Sequence, residues 1–151
     1  MATHDEDFAR WCHNQATRLR EIEGVGHVLL PGIDVANVAE EIESWARHQL
    51  HEATRFAEEV VATTLALSRR KDLPWGVFEY WDDRQNIARD WLAAQIDQSP
   101  SLRPRLESQM GAINPAGHIQ AELLFCLAGL QPPEFAPPGF TLADLLMEAN
   151  P

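Results

Sequence analysis

The chain has 151 residues, of which 45% are hydrophobic and 23% charged, a composition typical of one soluble domain that needs neither metal nor disulfides to hold its core. Its formal charge of -11 argues against general nucleic-acid binding, and no apolar stretch approaches the roughly 18 residues of a membrane span. The acidic N-terminus lacks the basic and apolar regions of a secretory signal, and two cysteines make no disulfide framework, so we expect a cytoplasmic protein.

The first predicted helix begins near Asp5. Thr3 is followed three positions later by Glu6, the spacing of a capping box that satisfies free backbone N–H groups. Gly24 ends the helix, and the Gly- and Pro-containing stretch 25–32 predicts a loop.

A second, much longer helix is predicted over about 34–70, with Asp34 as its N-cap. This stretch contains neither Pro nor Gly, and its apolar side chains recur at steps of three and four. About 36 residues at 1.5 Å each make a rod of about 50 Å, long enough to cross a small domain.

Three further helices are predicted before the last linker. One runs from about 75 to 98 and is broken by the Ser-Pro-Ser sequence at 99–101. A short helix follows and ends at Gly111. Asn114 as N-cap and Pro115 in the first turn then begin the most apolar helix of the chain, which we expect to be the central one.

The last segment, 130–151, is predicted to be a Pro-rich arm that packs back onto the body, with Thr141 capping a short terminal helix. No segment alternates apolar and polar residues with the period of a strand. The sequence therefore predicts a single all-α domain over 1–151: an antiparallel helical bundle with one long helix, short accessory helices and a C-terminal arm.

Four motifs follow one another along the chain and resemble those of a known family. They are Asp5-Glu6-Asp7-Phe8 with Trp11 and Gln15, Ala39-Glu40-Glu41-Ile42-Glu43-Ser44, Ser99-Pro100-Ser101-Leu102-Arg103-Pro104, and Phe140-Thr141-Leu142 with Leu145 and Leu146. On these motifs the chain resembles the prokaryotic domain of unknown function family 29 over most of its length. The resemblance implies a helical bacterial protein and supplies no activity, substrate or catalytic residue.

Two His/Glu pairs at i, i+4 spacing are weak candidates for a metal site. His48 with Glu52 lies on the long helix, and His118 with Glu122 on the predicted central helix. If these helices face each other, the four side chains supply ligands of the kind that bind metals in bundle cores. The competing interpretation is that both pairs are solvated or capping contacts, because neither Glu-x-x-His nor His-Glu-x-x-His occurs.

Three glutamines interrupt the apolar stripes of three helices, each four positions after a tryptophan. They are Gln15, Gln49 and Gln85. If they converge, they form a polar core layer that could hold water or a small polar ligand. The favoured interpretation is structural: each glutamine accepts from an indole N–H or fixes helix register.

Arg103 and Arg105 form a small basic island in an acidic chain. Guanidinium groups bind carboxylate or phosphate well. We expect the partner to be an acidic face of the protein's own helices or of a second subunit.

The leading hypothesis for function is a non-enzymatic helical module that binds another protein or itself as a homo-oligomer. Five tryptophans, the long helix and the Pro-rich arm favour it. The alternatives are a metal-dependent helical-bundle enzyme using the two His/Glu pairs, and an acidic mimic of nucleic acid that occupies a basic partner. No cofactor is expected, except a divalent metal under the enzyme alternative.

Overall fold

The computed structural model describes residues 3–24 and 33–147, and within these ranges all regular secondary structure is helical. The helices are α1 (Phe8–Gly24), α2 (Val35–Leu67), α3 (Trp75–Gln98), α4 (Leu102–Leu127) and α5 (Leu142–Leu146), with a 3-10 turn at Arg70–Asp72. The predicted all-α class is confirmed, whereas the loop predicted for 25–32 lies outside the described residues. None of the described helices is both long enough and apolar enough to cross a membrane.

Consecutive long helices run in opposite directions, as predicted for an antiparallel bundle. The middle of α2 meets the end of α3, where the Gln49 side chain lies 3.3 Å from that of Gln98. The end of α2 meets the first half of α3, where Gln85 donates a 2.8 Å hydrogen bond to Thr64. After the turn at 99–101 the chain reverses again, so α4 runs parallel to α2.

The central helix is α2, because α1, α3 and α4 all pack against it while α3 and α4 scarcely touch each other. Small buried side chains such as Ala46 and Ala53, seven positions apart, let neighbouring helices approach closely. The prediction that the apolar segment 114–127 is central is therefore wrong. Apolar composition alone does not show burial, and Leu123 and Leu127 of this segment are exposed.

The predicted break between a fourth and a fifth helix is also wrong, because α4 continues through Pro115. A proline inside a helix leaves the carbonyl four residues earlier without its N–H donor. That carbonyl belongs to Gly111, and both residues are on the exposed side of α4, which faces solvent and not the core. The buried side continues unbroken through Met110 and Ile113, so tertiary packing outweighs the local stop signals.

Helix α4 approaches α2 closely at Gly117. A Cβ added at this glycine would lie 2.5 Å from Cβ of Val61 and 2.9 Å from the backbone oxygen of Glu58. Only a residue without a side chain fits between the two helices here.

The C-terminal arm is attached to α4 through the buried amide of Asn114. Its Nδ2 donates to the carbonyl of Phe140 (2.9 Å), and the Phe140 N–H donates to its Oδ1 (3.2 Å). Thr141 then caps α5 through a capping box with Asp144, which confirms the predicted cap. Leu145 of α5 is buried, so the arm returns α5 to the core.

Candidate functional site

An open groove lies over α2 between α3 and α4. It exists because both helices rest on α2 without closing on each other. One part has a volume of about 390 Å³ and an adjoining part about 200 Å³. We call it the α3–α4 groove; its lining residues are Gly76, Val77, Tyr80, Trp81 and Arg84 of α3, Gln120, Leu123, Leu124 and Leu127 of α4 with Ala128, and Glu59 and Ala62 of α2.

The walls of the α3–α4 groove are apolar and exposed. On α4, Leu123 and Leu127 are 54% and 85% exposed, and Ile119 lies one turn earlier at 60%. On the opposite wall Tyr80 is 59% exposed. Single exposed apolar residues are ordinary, but large side chains at i, i+4 spacing that share one groove are typical of an interaction surface.

The charged groups in the groove already have partners within the chain. Nε of Arg84 donates a 2.7 Å hydrogen bond to Glu59, and the guanidinium lies 5.8 Å from the ring centre of Tyr80. Burial acts to lower the pKa of Arg84, but the hydrogen bond and charge of Glu59 outweigh it, so the pKa is raised. The surface left without a partner in the groove is thus mainly apolar.

The two His/Glu pairs are not brought together. Gly117, the residue before His118, packs against Val61 of α2. Val61 is thirteen positions after His48, which is about 20 Å along the helix. His118 lies 3.5 Å from Glu122, its own helical neighbour, and Glu52 is paired with an arginine three positions on. Among residues 3–24 and 33–147, no three His, Cys, Asp or Glu side chains are grouped as a metal site requires.

The three glutamines have separate surroundings. Gln49 is buried and accepts a 2.8 Å hydrogen bond from Ser99. Gln85 is also buried and donates its hydrogen bond to Thr64 of α2. Thr64 lies fifteen positions after Gln49, about 22 Å along α2, so Gln85 is far from Gln49. Gln15 is half-buried. The three therefore form no common layer, and Gln49 and Gln85 each make local hydrogen bonds.

A polar junction, which the sequence reasoning missed, joins α1 to the start of α4. The carboxylate of Asp7, only 7% exposed, accepts from the backbone N–H and the hydroxyl of Ser101, both at 2.8 Å, and from the N–H of Arg10 at 3.0 Å. Ser99 alongside donates to Gln49. Asp7, Ser99 and Ser101 all belong to the motifs on which the family resemblance rests. Their presence in these motifs was the sequence signal that could have identified the junction.

The predicted basic island divides between two environments. Arg103 lies 3.9 Å from Glu107 of the same helix. Arg105 instead lines a cleft of about 490 Å³ between α1, α2 and α4, together with Arg10, His13 and Arg47. We call this the basic cleft.

The acid of the basic cleft, Glu43, is held by neighbouring basic side chains. It accepts a 2.7 Å hydrogen bond from Arg20, and His13 and Arg47 lie 3.5 and 3.7 Å away. The hydrogen bond from Arg20, reinforced by these charges, lowers the pKa of Glu43. Glu43 therefore remains ionised near neutral pH and neutralises part of the cleft's positive charge.

Comparisons with known proteins agree with the helical architecture. No curated protein sequence is significantly similar to the chain. An alpha-helical protein of unknown function from Rhodospirillum rubrum ATCC 11170 is similar in structure, with a TM-score of 0.80 and 21% sequence identity, over 99% of this chain and 92% of that one. The model of the family described as domain of unknown function DUF29 matches residues 3–146. Since this match covers nearly the whole chain, the chain belongs to that family, as its sequence motifs indicated.

Proposed function

We propose that the chain is a non-enzymatic interaction module that binds an amphipathic helix of a partner protein in the α3–α4 groove. The observation that carries the proposal is the pair of exposed leucines, Leu123 and Leu127, opposite Tyr80 in a groove whose charged groups are already paired with each other.

The form of the groove favours a helix as the occupant. Two helices resting on a third leave a long slot, and a guest helix in this slot completes a four-helix arrangement. Amphipathic helices commonly bind grooves through apolar anchors at i, i+4 and i+7. Leu123, Leu127 and Tyr80 provide the complementary apolar contacts.

The charge of the chain favours a basic partner helix. At -11, two copies of this chain repel each other, whereas a positively charged segment is attracted. On α3, the exposed residues Asp83, Ile87 and Asp90 lie on one face of the helix, with the apolar side chain between the two acids. Lysine or arginine residues beside the apolar stripe of a guest helix would interact with such acids.

Binding is testable with a defined probe, a fluorescently labelled amphipathic peptide made of leucine and lysine. We expect fluorescence anisotropy to show a Kd of about micromolar order for the native protein. The double substitution Leu123→Glu, Leu127→Glu is expected to weaken binding about tenfold or more, because it places two carboxylates against the apolar face of the peptide.

A matched control is Ile33→Glu with Val38→Glu, which adds the same two carboxylates at exposed positions near the start of α2, at least twenty-one residues before Glu59 and about 30 Å away. It should leave peptide binding unchanged. Equal weakening by the control, or absence of peptide binding, would contradict the proposal. A dimer in light scattering that the double substitution dissociates would identify a second copy as the occupant and overturn the partner assignment.

The acidic-mimic alternative receives less support. Several acids of α2 are paired with the chain's own arginines, which reduces the unneutralised charge that imitation of a phosphate backbone requires. These acids are Glu43, Glu52 and Glu59.

A further inference from the structure

We propose that the basic cleft binds a small molecule that carries two or more carboxylate or phosphate groups. This site is separate from the α3–α4 groove, because its α2 residues, around Arg47, lie about twelve positions before Glu59, or about 18 Å along the helix. The inference therefore does not depend on the function proposed above.

Three different helices each contribute an arginine to the basic cleft. Arg10 comes from α1, Arg47 from α2 and Arg105 from α4. Three arginines that line one cleft give it a positive potential, which attracts an anion. Helical packing does not require these side chains to be arginine, because Arg10 and Arg105 are exposed.

The chain contains twenty-three acids and twelve Lys and Arg residues, so an arginine should find an acid easily. In the described part of the chain, however, the guanidinium groups of Arg10 and Arg105 have no ion-pair partner. Arg47 has only Glu43 at 3.7 Å, and Glu43 already accepts the shorter bond from Arg20. The positive charge of the cleft thus exceeds what Glu43 neutralises.

The remaining walls of the basic cleft suit a small ligand. Its volume of about 490 Å³ is within the range of small-molecule sites. Ala46 and Ala9 form buried, inflexible parts of the wall, and Ser101 is fixed by its two hydrogen bonds to Asp7. Arginine forks bind carboxylate and phosphate oxygens in pairs, so a ligand with two anionic ends can engage more than one helix.

Isothermal titration calorimetry with sodium pyrophosphate and with sodium citrate tests the inference, with sodium acetate as the singly charged control. We expect pyrophosphate, citrate or both to bind with Kd below about 1 mM, and acetate to bind at least about tenfold more weakly. Binding of pyrophosphate alone identifies phosphate as the ligand chemistry, and binding of citrate alone identifies carboxylate. If neither binds up to about 10 mM, the inference is overturned.

Two double variants with the same loss of charge locate the binding. Arg10→Gln with Arg105→Gln is expected to weaken anion binding about tenfold or more, because it removes two of the three guanidinium groups. Arg18→Gln with Lys71→Gln removes two exposed cations that do not line the cleft and should leave the affinity unchanged. Equal weakening in both variants would show attraction by overall charge and would overturn the site. Thermal unfolding checks that each variant is folded.

Discussion

Gly117→Ala is expected to destabilise the protein by about 2 kcal/mol. The added Cβ would lie 2.5 Å from Cβ of Val61 and 2.9 Å from the backbone oxygen of Glu58, neither of which is the mobile end of a side chain. Separating α4 from α2 to relieve this contact costs about 3 kcal/mol. Alanine's higher helix propensity returns only about 1 kcal/mol. Urea unfolding monitored by circular dichroism measures the difference.

The same helix supplies a control of opposite sign. Gly111 is exposed and a Cβ there would meet no atom within 4 Å, so Gly111→Ala should stabilise the protein by about 0.5–1 kcal/mol. If both substitutions stabilise, the close approach of α2 and α4 at Gly117 does not exist in solution.

Asp7→Ala should destabilise the protein by about 3 kcal/mol. The substitution removes the side chain that caps α1 through the N–H of Arg10, which costs about 1 kcal/mol. It also leaves the N–H and hydroxyl of Ser101 without their acceptor in a site with little access to water, which costs about 2 kcal/mol more. Thermal and urea unfolding measure the loss.

Asp5→Ala is the matched control, because the Asp5 side chain is 97% exposed and the expected change is within about 0.5 kcal/mol. The free energy of unfolding of Asp7→Asn should lie between those of Asp7→Ala and Asp5→Ala, because the single amide oxygen of asparagine cannot replace both carboxylate oxygens. A similar stability for Asp7→Ala and Asp5→Ala would mean that the polar junction does not hold α1 against α4.

Local sequence signals predicted the helices well where packing and propensity agree. Asp34 caps α2 by accepting from the N–H of Asn37, and α3 occupies the predicted span Trp75–Gln98. The start and end of a helix depend on neighbouring residues, which the sequence contains. Gly111 and Pro115 misled the prediction because the packing of the buried face of α4 outweighs the local cost of both residues and keeps the helix continuous.

The candidate site was less accessible to sequence reasoning. Periodicity identifies an apolar face but not which helix covers it, so the apolar helix that begins at Asn114 is predicted to be central although its Leu123 and Leu127 are exposed. Whether they are buried depends on α3, which packs on α2 and leaves them open. Arg105 was recognised as an anion-binding candidate, but its convergence with Arg10 and Arg47 requires the three-dimensional arrangement of three helices.

The central position of α2 also determines which parts of the protein unfold locally and which unfold only with the whole domain. Because α1 packs chiefly against α2, it can detach as a local unit and leave the contacts of α3 and α4 with α2 in place. The middle of α2, buried on several sides, becomes accessible to solvent only when the whole bundle separates. Amide protons at residues such as Ala57 and Val61 then exchange only through global unfolding, whereas those of α1 exchange through a smaller fluctuation. The long helix is thus the last part of the protein to lose its protection against solvent.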